Sequence, residues 1–331
     1  MSFAEEFLEM INRFQSIGRE IYDDTLQVQF LQQQIDIIQT PIIKYPPRNV
    51  PYFSPSSANS CKRELYVKAI GQKRDQQERL PFQTRWQLMG TAFGSVMQYQ
   101  LLLIEKWYPQ LFGTESPFYF ERNEKNQPKF EDFAKRLTTH HHRNHDILLF
   151  GAPDGILIHR ATGTRVLLEC KTKQTTYGAT GNFKMKEPSQ DHARQTICYS
   201  LQHTANGEAP LNDVIVLYGN LSKKSWNMSR EEMEKHPDLR AFDVHITASD
   251  RLNVLDTFAD VLDAVATKTP PALELDKFLF NNFKTECALS LSNEEWKDIS
   301  KKVSEVQKSD LPNSVKTSYL SAWEYISEVR D

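Results

Sequence analysis

Leu149-Phe150-Gly151-Ala152-Pro153-Asp154-Gly155 leads into Val166-Leu167-Leu168-Glu169-Cys170-Lys171-Thr172-Lys173, and then into Gln195-Thr196-Ile197-Cys198-Tyr199. Side chains alternate faces along a strand, so Glu169 and Lys171 point one way and Cys170 the other. The apolar run Val166 to Leu168 buries that strand and holds its end rigid. Asp146 to Phe150 reads as a strand leading to Asp154, where Pro153 and Gly155 interrupt regular pairing. If these two strands are neighbours, both carboxylates converge on one spot. Two hard oxygen ligands with room for water suit Mg2+ or Mn2+, and the main-chain carbonyl of Cys170 is a further candidate ligand. Such an ion lowers the pKa of a bound water and neutralises charge on a phosphate. Lys171 would orient that water or offset charge on the phosphorus. The plainer reading is a surface hairpin with ordinary charges. The apolar strand ending in an acid, and the Gln-x-x-x-Tyr helix downstream, speak for the site.

These residues resemble the RecB-like branch of the PD-(D/E)XK nuclease superfamily, which includes recombination nucleases, CRISPR-adaptation exonucleases and phage exonucleases. The matching residues are Gly151 to Gly155, Glu169-Cys170-Lys171, and Gln195 with Tyr199. Phe53-Ser54-Pro55-Ser56-Ser57 with Cys61 to Tyr66 resembles an N-terminal serine-and-arginine motif, and Gly90 to Gly94 a glycine-to-histidine helix. The resemblance covers roughly residues 50 to 245. It implies an α/β fold with a restriction-endonuclease-like core, a central mixed sheet flanked by helices. It also implies a divalent-metal-dependent DNA nuclease, an exonuclease acting in recombination, repair or phage DNA processing. The candidate catalytic residues are then Asp154, Glu169, Lys171, Gln195 and Tyr199. The candidate metal ligands are Asp154, Glu169 and the Cys170 carbonyl. Ser56, Arg63, Lys173 and Lys223 are the candidate substrate contacts. DNA is the implied partner, with a recombination or packaging protein as a further one. Gly94 stands where the family carries a histidine ligand, and Gln98, one turn on, is the same-face substitute. Some relatives hold an iron–sulfur cluster on four cysteines. Cys61 matches the first of these, the later trio has no counterpart, and no cluster is expected. The rival readings are a non-catalytic nucleic-acid-binding module that kept the fold, and a structural subunit of a recombination or packaging complex.

Outward from this stretch, the 331 residues divide by pattern into a helical appendage (1–50), the nuclease core (51–248) and a helical C-terminal region (249–331). Pro41, Pro46, Pro47, Pro51 and Pro55 mark the first boundary. Phe3, Phe7, Ile11 and Phe14 recur at helical spacing, and Ile21 to Ile35 suggest a second run, packed on the core or against a partner helix. Ser56 and Ser57 are placed to cap a helix running to about Ala69, whose free N–H groups suit a phosphate. Arg63 would project near that end, as a phosphate contact or a plain surface arginine. Residues 83 to 107 read as a helix. Strands are expected at Phe118–Glu121, Asp146–Phe150, Ile156–His159, Arg165–Lys171, Asp213–Gly219 and Phe242–Thr247, with a hairpin turn at Ala161–Thr164. The polar stretch Lys171 to Glu187 reads as a mobile loop at the mouth of the site. Clustered histidines such as His140-His141-His142-Arg143-Asn144-His145 can bind a transition metal, but no cysteine or second cluster accompanies them, and an exposed strand or a DNA-facing loop explains them as well. Helices follow at Leu252–Val265, Trp296–Val306 and Val315–Val329. The net charge of −3 announces no global basic field, though a groove can still localise positive charge. The four cysteines lack paired spacing and suit a reducing cytoplasm, bacterial or that of a phage-infected host. No run approaches a membrane span.

Overall fold

The apolar run Val166–Leu168 lies at the centre of a mixed sheet. The structure is a computed structural model and describes residues 1–39, 45–76, 78–205, 207–222 and 224–330. Its strands are β1 (Phe118–Phe120), β2 (Arg136–His142), β3 (His145–Gly151), β4 (Gly155–His159), β5 (Arg165–Lys173), β6 (Asp213–Asn220) and β7 (Leu239–His245). Among the described residues the principal sheet has the order β1-β4-β5-β6-β7, and β2 and β3 form a separate two-stranded sheet. Within the principal sheet β5 and β6 run parallel, and the pairs β1–β4, β4–β5 and β6–β7 are antiparallel. The helices are α1 (Phe3–Gln15), α2 (Asp24–Gln39), α3 (Lys62–Ala69), α4 (Pro81–Phe112), α5 (Glu131–Ala134), α6 (Gln190–Thr204), α7 (Arg230–Lys235), α8 (Ala248–Thr267), α9 (Leu275–Phe278), α10 (Lys284–Leu289), α11 (Asn293–Lys308) and α12 (Asn313–Arg330). None is long and apolar enough to cross a membrane among the described residues.

Strand alternation sorts β5 and β6 between two cores. Val166, Leu168, Ile215 and Leu217 pack with Phe7, Ile11, Leu101 and Ile104 of α1 and α4. Leu167, Val214, Val216 and Tyr218 pack on the other face with Tyr199 of α6. The result is a central mixed sheet flanked by helices, the α/β class that the sequence led us to expect. Glu169 and Lys171 share the parity of Leu167, so they face α6, and Cys170 packs with the α1–α4 core. Parallel β5 and β6 require a crossover, and α6 makes it.

Local chemistry sets the long helices. Pro81 opens α4 at its first turn, and Gly113, at φ 70°, closes it by donating to the Pro109 carbonyl at 2.9 Å. Phe93 of α4 lies so close to β6 that a Cβ on Gly219 would sit 2.3 Å from its ring; glycine there permits the approach. Ser2 and Glu5 cap α1 reciprocally, and the Ala4 amide donates to Asp243 of β7 at 2.9 Å. The N-terminal helices therefore pack on the core.

The chain divides into two compact units that are not consecutive segments. The first holds Met1–Tyr45, Arg79–Thr138 and Phe150–Arg251; the second holds Pro46–Glu78, Thr139–Leu149 and Leu252–Asp331. This differs from the division at 50 and 248, because α1 is built into the first unit's core and α3 into the second. The boundary proline Pro41 lies outside the described residues. In the second unit Phe53 stacks on Phe258 at 4.1 Å, and Trp296 packs on Trp323 at 5.3 Å.

Candidate active site

Asp154 immediately precedes β4. The β4–β5 ladder pairs Gly155 with Leu168, so one further step sets Asp154 against Glu169. The strand that presents Asp154 is therefore β4, and not the preceding run, which pairs with β2 in the separate sheet. Asp154 Oδ2 accepts from the Cys170 amide at 2.6 Å, which fixes the carboxylate against β5. Glu169 is 1% exposed. Its Oε1 is ion-paired with Lys171, while its buried Oε2 has no hydrogen-bond partner. Lys171 Nζ also donates to Gln195 Oε1 at 3.2 Å, and Gln195 Nε2 donates to the Tyr199 hydroxyl at 3.0 Å. Gln195 and Tyr199 lie one helical turn apart on α6, so their side chains stack along one face. Through Gln195, these bonds tie Lys171 to α6.

Burial dominates the electrostatics. Desolvation first, and repulsion from Glu169 second, raise the Asp154 carboxyl to about 7. Desolvation also raises Glu169, against the pull of Lys171. The Tyr199 hydroxyl is pushed well above its ordinary value by burial and by both acids, so it stays neutral. Two residues not anticipated from sequence join the site. The Glu131 carboxyl is raised to about 6, by desolvation and then by repulsion from Asp154. His192 is lowered to about 4 by desolvation and by Lys171 and Lys173, and its Nδ1 lies 2.8 Å from the Tyr218 hydroxyl. His192 precedes Gln195 by three residues on α6, a same-face spacing legible in the sequence. Glu131 carries no such signal.

Two carboxylates, one with a buried oxygen lacking any partner, fit a small divalent cation that takes few protein ligands and keeps several waters. Asp154, Glu169 and the Cys170 carbonyl are the groups that would hold it. Among the described residues no group of three or more His, Cys, Asp or Glu stands ready to bind a metal.

No family model and no curated protein matches the chain. Solved structures with related outlines include SSO0001, at 12% identity over 81% of this chain and 97% of that one, with a TM-score of 0.41. An alkaline exonuclease (LHK-Exo) from Laribacter hongkongensis shows 11% identity over 67% and 91%, with a TM-score of 0.37. Its complex with dAMP shows 10% identity over the same shares, with a TM-score of 0.38. These likenesses are slight, and the chemistry rests on the side chains themselves.

The remaining candidates scatter. Gln98 of α4 is buried, and its Nε2 donates to the Asp154 carbonyl at 2.9 Å. Gly94 faces open space, with nothing within 4 Å of a Cβ built there. Lys173 lies over the Tyr218 ring at 5.5 Å, beside a cavity of about 470 Å3 also lined by Lys184 and Ser189. Lys223 lies outside the described residues. Ser56 is exposed, and its hydroxyl meets Ser54 Oγ at 3.0 Å. The helix expected from Ser56 to Ala69 is a 3-10 turn, Pro55–Asn59, followed by α3. Arg63 requires a correction. It is completely buried in the second unit, donating to the Pro271 carbonyl at 2.5 Å and to Ser290 Oγ at 3.2 Å, and it is ion-paired with Glu295. With its guanidinium so engaged and out of solvent, it does not present to a phosphate.

The histidine run also finds its partners inside the second unit. His142 meets Asp256 at 2.7 Å, His145 meets Asp263 at 2.6 Å, and Arg143 pairs with Asp260 at 2.6 Å. These acids recur along one face of α8. The segment after β5, expected to be mobile, is instead tied down. Asn220 Nδ2 donates to the Thr176 and Tyr177 carbonyls at 3.1 and 2.9 Å, and Thr180 donates to the Pro237 carbonyl at 2.6 Å.

The raised Asp154 pKa has a measurable consequence. Its folded value lies above its unfolded one, so its contribution to stability is fully present below about pH 4 and is lost as pH rises through about 7. In EDTA, Asp154→Asn should therefore raise stability at pH 8 by about 2–4 kcal/mol. The gain should vanish towards pH 4. Thermal melts across pH check this, and a pH-independent difference between the two proteins would contradict it.

Proposed function

We propose that the first unit is a divalent-metal-dependent nuclease of PD-(D/E)XK type that hydrolyses phosphodiester bonds in DNA. The observation that carries this is the pair Asp154 and Glu169, the second fully buried with its Oε2 unpartnered and with Lys171 ion-paired beside it. Bound Mg2+ or Mn2+ would supply an acidified water and neutralise phosphate charge. Asp154, held by the Cys170 amide, and Glu169 are the carboxylates that would hold it. Lys171 directs its ammonium at the negative charge that grows on the phosphate oxygens, and Gln195 and Tyr199 keep it from collapsing wholly onto Glu169. Lys173 and the neighbouring cavity offer the substrate strand a positive contact beyond the scissile phosphate. The half-buried carboxyl of Asp154 must be ionised to bind a cation, so activity should rise through about pH 7.

We further assign an exonuclease in recombination, repair or phage DNA processing, acting in the cytoplasm, where its four free cysteines would stay reduced. The absence of a ready three-ligand group among the described residues favours a second reading, a nucleic-acid-binding module without turnover, acting within a recombination or packaging complex. One assay separates them. End-labelled linear and circular DNA, single- and double-stranded, is incubated with Mg2+, Mn2+ or EDTA. Cation-dependent release of nucleotides from linear DNA is expected. DNA binding with no cleavage under any cation would establish the second reading.

A further inference from the structure

α2 carries two apolar faces, and the fold of one chain uses only one of them. Leu26, Phe30 and Ile37 pack with the core of the first unit, and the Phe30 ring lies 5.9 Å from Tyr99 and 5.8 Å from Phe130. Asp23 fixes the start of the helix. Its carboxylate accepts from the Leu26 amide at 2.8 Å and from the Trp107 indole at 2.9 Å, and it is ion-paired with Lys106 at 2.5 Å. On the roughly opposite face, at about 100° of turn per residue, stand Val28, Leu31, Ile35 and Ile38. These four are 44% to 75% exposed. A surface helix ordinarily turns polar residues outward at such positions.

The outer four are spaced three, four and three residues apart, which is the a–d spacing of a two-helix seam. The flanking e and g positions are Gln27, Gln32, Gln34 and Gln39. In paired helices those positions select the partner by charge. Here they carry none, so they offer nothing to a charged helix and do not repel a copy of themselves. An amide both donates and accepts, so four glutamines can bond to the same four on a second chain. The spacing also reads the same in both directions. Turned end for end, the stripe lays Val28 against Ile38 and Leu31 against Ile35, and every apolar residue meets another. The acids of α2 favour that order. Asp24 lies one heptad before Leu31, on the seam itself. Parallel helices would set it against its own copy, whereas antiparallel ones keep the two about 21–27 Å apart.

We propose that the outer face of α2 is a dimerisation seam that receives α2 of a second copy of this chain, the two helices antiparallel about a twofold axis. Such a contact is isologous and closes at two subunits. A seam of four apolar residues a side is small, below about 1,200 Å2 in total, so the dimer is reversible at micromolar concentrations. The inference stands whether or not the chain cleaves DNA.

Sedimentation equilibrium of the full chain, from low micromolar to near-millimolar concentration, tests it. Wild type should pass from monomer to dimer. Leu31→Glu and Ile35→Lys each set a charge against an apolar residue of the seam, and each should stay monomeric throughout. Both side chains face solvent in the monomer, so thermal melts of the variants should match wild type. Mixed in equal amounts, the two variants should restore the dimer, because antiparallel helices bring Glu at 31 against Lys at 35. A wild type that stays monomeric at every concentration would overturn the proposal, whatever else binds this face. So would a dimer that survives in both variants, which would place the contact elsewhere. Monomeric variants that fail to pair on mixing would overturn the antiparallel seam.

Discussion

Glu169→Gln should reduce DNA cleavage by about a thousandfold or more while leaving the fold undisturbed. The loss corresponds to about 4 kcal/mol of barrier. Glutamine retains an oxygen for Lys171, so the contact that holds the lysine survives. What disappears is the negative charge on a side chain that is 1% exposed and has one oxygen without a protein partner. A neutral amide oxygen in that position is a much weaker ligand for a divalent cation than a carboxylate. Stability in EDTA should not fall, because removing a carboxylate whose ionisation is opposed by burial relieves the folded state. Initial rates on linear DNA and thermal melts in EDTA check both halves. Wild-type rates would remove Glu169 from the site.

The second large effect concerns stability and lies away from the chemistry. Arg63→Ala should destabilise the second unit by about 3–5 kcal/mol. The guanidinium is fully buried, ion-paired with Glu295, and bonded to the Pro271 carbonyl and Ser290 Oγ. Glu295 is also the capping residue of α11, exchanging hydrogen bonds with Ser292 at 2.9 and 3.1 Å. Truncation leaves a void, two unpaired acceptors and a carboxylate without its cation. Urea unfolding of the full chain should show an earlier transition for the variant. An unchanged transition accompanied by weaker DNA binding would return Arg63 to the role its position in the sequence suggests.

Arg63 shows where sequence alone stops. An arginine near a helix start reads as exposed, because arginine usually is. Its burial depends on Pro271, Ser290 and Glu295, more than 200 residues downstream, and no local pattern announces that enclosure. The sheet was more legible. Apolar alternation in β5 and β6 is strong, and the Ala161–Thr164 turn marks the β4–β5 hairpin, so Asp154, Glu169 and Lys171 could be placed together from parity and order. The lysine's partner Gln195, and Tyr199 one turn behind it, share a helical face by their spacing. The strand carrying Asp154 was harder, since two apolar runs flank it and only the register shows that β4 pairs with β5. Glu131 was invisible for the reason that held for Arg63: its place comes from bonds to Pro153 and from the packing of Phe130, both tertiary. The histidine run pairs with acids of α8 more than 100 residues away.

The central claim is that Asp154 and Glu169 together hold a divalent cation. Diffraction from crystals soaked in Mn2+, collected to record its anomalous signal, addresses this most directly. The expected result is a strong anomalous peak in contact with Asp154 and with Glu169 Oε2. A peak bound elsewhere, or a soaked crystal with no peak between these two carboxylates, would contradict it.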